Sequence, residues 1–382
     1  MSGQGSQNSP IMQAATGPLL EGPVIPTATT AALAQMGTSD LMDSAPTGQN
    51  EEFLELRRRI RQAGLLEKQP LYYTMKIVTG VGLLAIGVAV MVTLDSLWIQ
   101  LINAVFVGFA FSQVSFIGHD AGHYQIARTP RRNELAGLLA TFLIAMDLSW
   151  WIDKHNKHHA NPNVLEEDAD IEVSVLAFTE EQALSKNIIL RQIVRYQAFL
   201  FYPILMLSSI SLRFGGVAYM VKGGAVKYQM LEPLLILGHA VIYLWMLYYF
   251  LGPLQGALFL LVHQAVAGLL MGGTFAPNHK GMPVIDRDAI PDFMRLQVLT
   301  SRNVKAHPIT DVVYGGLNYQ IEHHLFPSMA RNNLGKAQKI VKAFCAEKSI
   351  PYHETSVIGS NVEIVRHLHL VSRVLRARRV TN

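Results

Sequence analysis

Cysteine is almost absent: Cys345 is the only one in 382 residues. An internal disulfide is therefore excluded, as is an iron–sulfur cluster held by four thiolates, and nothing marks an oxidising compartment. Charge is scarce as well, at 16% against roughly 25% in soluble domains. Lys and Arg are missing altogether from 1–50, 77–127 and 228–279. The first gap excludes the basic start of a signal peptide, and its Gly, Pro, Ser, Thr and Gln content predicts a disordered tail over 1–50. The net charge of +4 and pI near 9.0 come without a basic block flanked by stacking aromatics. Nucleic acid is thereby excluded as a partner, and membrane lipids are the expected one.

What is abundant is apolar sequence, at 50% hydrophobic residues and a mean hydropathy of +0.23. Four runs, 76–93, 97–117, 231–251 and 254–275, are long enough to span a bilayer, since 20 helical residues cover about 30 Å. The shorter apolar pieces 135–146 and 198–212 predict interfacial helices. The two internal windows without Lys or Arg each hold a pair of runs joined by a short link, near Leu94–Ser96 and Leu251–Pro253. The positive-inside rule then predicts two membrane hairpins, with both termini and the 118–229 loop in the cytoplasm. The expected architecture is an all-α integral membrane protein with four transmembrane helices and a cytoplasmic helical cap. Its expected division is a tail over 1–50, an interfacial segment over 51–75, one membrane domain over 76–345 and a cytoplasmic segment over 346–382.

Fourteen histidines are present, and eight of them gather where this topology meets the cytoplasm. His119-Asp-Ala-Gly-His123 follows the second run, and its i, i+4 spacing sets both imidazoles on one helix face. In His155-Asn-Lys-His158-His159, His155 pairs at i+3 and i+4, while the adjacent pair diverges by about 100° and is able to serve two metals. Gln320-Ile-Glu-His323-His324 repeats that spacing with Gln in first place, an amide able to accept a hydrogen bond or hold a metal-bound water. Asn278-His279 follows the last run, where a helix cap is an equal reading to a ligand. His239 and His263 lie inside runs, too far from His279 to join it, and are expected to bond between helices. His307, His353, His367 and His369 are expected at the surface.

Imidazole suits Zn, Cu, Fe and Ni, and eight imidazoles fit two metals better than one. A structural zinc site would need four ligands and be closed. Two redox-active irons facing hydrocarbon would suit oxygen chemistry on an alkyl chain. Hydroxylation by the same ligands, or a non-catalytic metal transporter or sensor, are the competing readings.

At these residues the sequence resembles the membrane fatty acid desaturases. The order HDAGH, HNKHH and NYQIEHHLFP, with a hairpin between the last two, is similar to that family over 70–345, and Gln320 resembles its front-end members. The resemblance implies an oxygen-dependent acyl desaturase with two irons, using dioxygen and two electrons. It carries over His119, His123, His155, His158, His159, His279, His323 and His324 as ligands, with Gln320 and Asn278 beside them. The implied substrate is an acyl-CoA or acyl-lipid. The HPGG haem motif of members with a fused cytochrome b5 domain does not occur in 1–382. A separate ferredoxin, or cytochrome b5 with its reductase, is therefore the expected electron donor.

Overall fold

The computed structural model describes residues 47–377. Helix α1 (Thr47–Gln62) overlaps the expected disordered tail by residues 47–50, and 1–46 lie outside the described residues. Phe53, Leu56 and Ile60 share a face of α1 and bury against Leu325, Phe344 and Cys345. The segment expected to be interfacial is thus half a helix packed beneath the third histidine box.

Helices α2 (Pro70–Thr93) and α3 (Leu97–Gly122) follow, with Pro70 at a first-turn position that needs no N–H. They pack closely: a Cβ on Gly87 would stand 2.5 Å from Val107 Cγ2. Asn103 Nδ2 donates to Gly87 O at 2.9 Å, and Gln100 Nε2 donates to Val90 O and Leu94 O at 3.0 and 2.6 Å. Such bonds supply partners to main-chain carbonyls where lipid offers none. Both helices exceed the expected apolar windows, because a helix continues where hydropathy ends; α3 therefore carries His119 within itself.

Helices α4 (Pro130–Ile144) and α5 (Leu148–Ala160) meet at a 109° elbow, where Ala145 is left-handed at φ 52°. The open ends at this elbow have partners of the right sign. Arg213 Nε and Nη2 donate to Ile144 O at 3.1 and 2.8 Å, at the negative end of α4. Asp147 accepts from Trp150 N at 2.6 Å and Glu232 from Ser149 N at 2.9 Å, at the positive end of α5.

After α6 (Glu180–Ser185) and α7 (Ile188–Arg195), helices α8 (Gln197–Leu205) and α9 (Ser208–Val221) form a second bent pair, at 71°. Helix α10 (Leu231–Met246) leads through a π-helical turn (Leu247–Leu251) into α11 (Gly252–His279). Gly252, at φ 71°, reverses the chain, so that Tyr243 Oη meets His263 Nδ1 at 2.5 Å. Among the described residues, three continuous stretches, Pro70–Thr93, Leu97–Gly122 and Leu231–His279, are long and apolar enough to cross a membrane, or up to five if each bent pair counts as one.

The rest of the chain folds over the end of α3 and α11: α12 (Phe293–Leu299), β1 (Asn303–Val304), α13 (Pro308–Val313), α14 (Gln320–Leu325), α15 (Arg331–Glu347), β2 (Glu354–Thr355), α16 (Val357–Val371) and α17 (Arg373–Ala377). The parallel pair β1 and β2 departs from the all-helical expectation. Helix α16 is anchored by Ile364 and Leu368 against Phe201 and Leu205 of α8.

Candidate metal centre

Four helices converge on one buried pocket. Helix α3 brings His119 and, at its C-cap, His123; α5 brings His155, His158 and His159; α11 ends on His279; α14 brings His323 and His324. All eight are buried. They divide into two sets. One ligand atom from each of His119, His123, His155 and His323 lies within 4.8 Å of the others, and the same holds for His158, His279 and His324. His159 stands between them, its Nε2 3.1 Å from His155 Nε2 and its ring stacked at 4.2 Å on His324. The i+3 step from His155 to His158 thus crosses from one set to the other.

The residues fit metal ions on their own chemistry. His119 Nε2 and His323 Nε2 face each other at 3.1 Å. His123 Nε2, His159 Nδ1, His323 Nδ1 and His324 Nε2 are buried without a hydrogen-bond partner. Buried polar atoms are rarely left so, and convergent imidazole lone pairs suit a borderline cation. Burial holds His155, His159, His323 and His324 well below the ordinary imidazole range, favouring the neutral form that ligates.

Several outer rings are fixed at Nδ1, which leaves Nε2 directed inward. His119 Nδ1 lies 3.0 Å from Asp120 Oδ1, His158 Nδ1 2.9 Å from Asp168 Oδ2, His324 Nδ1 2.8 Å from Gln297 Oε1 and His279 Nδ1 3.2 Å from Thr300 O. Trp151 stacks on His155 at 4.4 Å. The sequence reading names none of these partners. Asp120 has a signal in its place inside the first box, whereas Gln297 and Thr300 have none.

Gln320 and Asn278 come together beside the three-histidine set. Asn278 Nδ2 donates to Gln320 Oε1 at 3.0 Å, and Gln320 Nε2 lies 3.0 Å from His279 Nε2. His263 bonds between helices, to Tyr243, and His239 stands edge-on to Phe111 at 5.9 Å. His307 and His369 are exposed. His353, with 44% of its side chain exposed and 2.9 Å from Glu363 Oε2, is at the surface as well, whereas His367 departs from that expectation: it is half-buried and donates to Phe178 O at 3.0 Å.

A family model described as fatty acid desaturase matches residues 96–356. The acyl-lipid (9-3)-desaturase of Physcomitrium patens is 28% identical over 340 residues, 87% of this chain and 64% of that protein. The Delta(6)-fatty-acid desaturase fat-3 of Caenorhabditis elegans is 31% identical over 321 residues, 79% of this chain and 70% of that protein. The Delta(8)-fatty-acid desaturase of Euglena gracilis is 29% identical over 338 residues, covering 85% and 79%. The chain thus spans 64% of the length of the first of these relatives.

Proposed function

The chain belongs to the fatty acid desaturase family, and on that premise we propose that it introduces a double bond into a fatty acyl chain at a pair of irons. The observation that carries the reading is the division of buried histidines into two adjacent sets at the end of long apolar helices. His119, His123, His155 and His323 would hold one iron, His158, His279 and His324 the other, with His159 between them. Bound there, the irons would supply the oxidising chemistry that an unactivated C–H bond needs, with dioxygen as co-substrate.

The chain's own residues do the rest. Burial favours the neutral form of His155, His159, His323 and His324; Asp120, Asp168, Gln297 and the Thr300 carbonyl aim His119, His158, His324 and His279. The apolar helices admit a chain of negligible water solubility and fix which carbon pair lies against the site. The substrate is an acyl-lipid, in keeping with the name of the Physcomitrium patens relative, or an acyl-CoA.

Four transmembrane helices form two hairpins, α2–α3 and α10–α11, with the site and termini on the cytoplasmic side; the distribution of Lys and Arg supports this. The domain runs over 76–345, flanked by 51–75 and 346–382. Electrons come from ferredoxin, or from cytochrome b5 and its reductase. Docking of either on cytoplasmic Lys and Arg weakens with salt, because exposed charges are screened within about 10 Å at 0.1 M.

The test is gas chromatography with mass spectrometry of lipids from a host expressing the chain. A new unsaturated acyl chain is expected; a hydroxylated chain or an unchanged profile overturns the reading. Stoichiometric zinc in active protein would overturn the iron assignment.

A further inference from the structure

Arg331 is a deeply buried charge. Its side chain is 2% exposed and that of its partner Asp120 0%, with Nε 2.5 Å from Oδ2. A buried ion pair is poor evidence of stabilisation, because apolar side chains of the same volume often do as well. The contacts of this pair show an orienting role instead. Asp120 divides its oxygens, Oδ2 to Arg331 and Oδ1 to His119 Nδ1 at 3.0 Å. Arg331 is itself fixed: Nη1 donates to Gly315 O, and the guanidinium lies 5.1 Å from the centre of the Phe116 ring. Gly315, at φ 61°, has no room for a side chain, since a Cβ would come 2.5 Å from Phe116 Cδ2 and 2.6 Å from Arg331 Nη1. A continuous line of contacts runs from this glycine through Arg331 and Asp120 to His119, whose Nε2 faces His323.

The other set is arranged differently, with two carboxylates behind one imidazole. Asp168, behind His158, accepts from Asn163 N at 2.8 Å and Asp170 N at 2.9 Å. Among the described residues its one ion pair is with His158 itself; Lys154 reaches this imidazole only through the second carboxylate, Asp170, whose Oδ2 is 3.5 Å from His158 Nδ1, farther than the 2.9 Å of Asp168. A carboxylate already paired with a guanidinium pulls less on an imidazole N–H than one that is not.

We infer that Arg331 is a positioning residue which acts through Asp120 on His119, and that it makes the two metal positions electronically unequal. The inference rests on the diiron reading above. Its test is Mössbauer spectroscopy and metal analysis of full-length protein loaded with iron-57, as wild type, Arg331→Gln, Arg331→Lys, Asp120→Asn and the Asp120→Asn/Arg331→Gln double variant.

Two distinguishable iron signals are expected in the wild type. Arg331→Gln should shift one and leave the other, and, because Asp120 is then no longer held in place to aim His119, retention of that iron should weaken by about 10–100-fold. Arg331→Lys, which keeps the charge without the planar fork, should restore part of the signal and carries the same readout should the Gln variant not fold. The double variant should resemble Asp120→Asn alone, since a residue acting through another adds nothing once that one is gone. Equal shifts in both irons, no shift, or additive effects overturn the inference while leaving two irons per chain intact. A wild-type chain that takes up no iron overturns the diiron reading, and this inference with it.

Discussion

His158 Nδ1 lies 2.9 Å from Asp168 Oδ2, and that carboxylate is held in turn by the main-chain N–H groups of Asn163 and Asp170. The loop after α5 is thus wound around the acceptor that aims one imidazole. Asp168→Asn keeps the shape and removes the charge. It should weaken metal retention in the three-histidine set by about 10–100-fold. Iron per chain after dialysis against a chelator measures this, and retention equal to wild type would sink it.

Glu322 lies in the third box, directly before His323, and accepts from Asn303 Nδ2 and Tyr352 Oη at 2.7 and 2.8 Å. Burial pushes its carboxyl from the ordinary 4.5 up to about 7, although both donors work the other way. An acid raised in this sense favours the fold fully below pH 4.5, and its contribution is lost as pH rises to about 7, amounting to about 3 kcal/mol over the interval. In metal-free protein the buried histidines titrate in the opposite sense, so the component is read as a difference: Glu322→Gln should gain stability relative to wild type as pH rises from 4.5 to about 7. Parallel pH profiles for the two proteins would refute the prediction.

Gly268 is the tightest crossing of α11, where an added Cβ would stand 2.3 Å from Met206 O between α8 and α9. A main-chain oxygen is not free to rotate away. Gly268→Ala should cost about 1–3 kcal/mol. Gly273→Ala, on the same helix with nothing within 4 Å, should be neutral or stabilise by up to about 1 kcal/mol. Thermal unfolding in detergent compares the two, and equal midpoints would contradict the packing.

Cys345 is buried, and burial pushes its thiol up to about 12, so it should stay silent towards maleimides. An Asp95→Cys variant, in the exposed link between α2 and α3, then provides a single reactive site. Labelling of intact cells by an impermeant maleimide is expected from the outside. Labelling confined to inverted membranes would reverse the proposed topology.

The histidine boxes are legible in sequence because spacings of three and four read directly as helix faces. The span positions are legible because lipid requires apolar length. The elbows are not: the apolar piece 135–146 is too short to signal a span, and its reversal depends on Arg213 and Glu232, remote in sequence, meeting the two helix ends. The ends of α3 and α11 lie beyond the apolar runs, because hydropathy falls off before the helix does. Gln297 and Thr300 carry no pattern, since their roles arise only when α12 folds back beneath His324 and His279. The bond of His263 to Tyr243, by contrast, follows the expectation for a polar residue inside an apolar helix.

His119 faces His323, 204 positions further along the chain, and Asp120 meets Arg331, 211 positions further. These separations bear on biogenesis. Neither histidine set is complete until α14 has left the ribosome, and the ion pair behind His119 must wait for α15. By then both hairpins have been synthesised and are available to the insertion machinery. Insertion can therefore precede closure of the pocket, and iron uptake becomes a late step of maturation, with a nascent chain stalled before residue 323 lacking two of the ligating imidazoles.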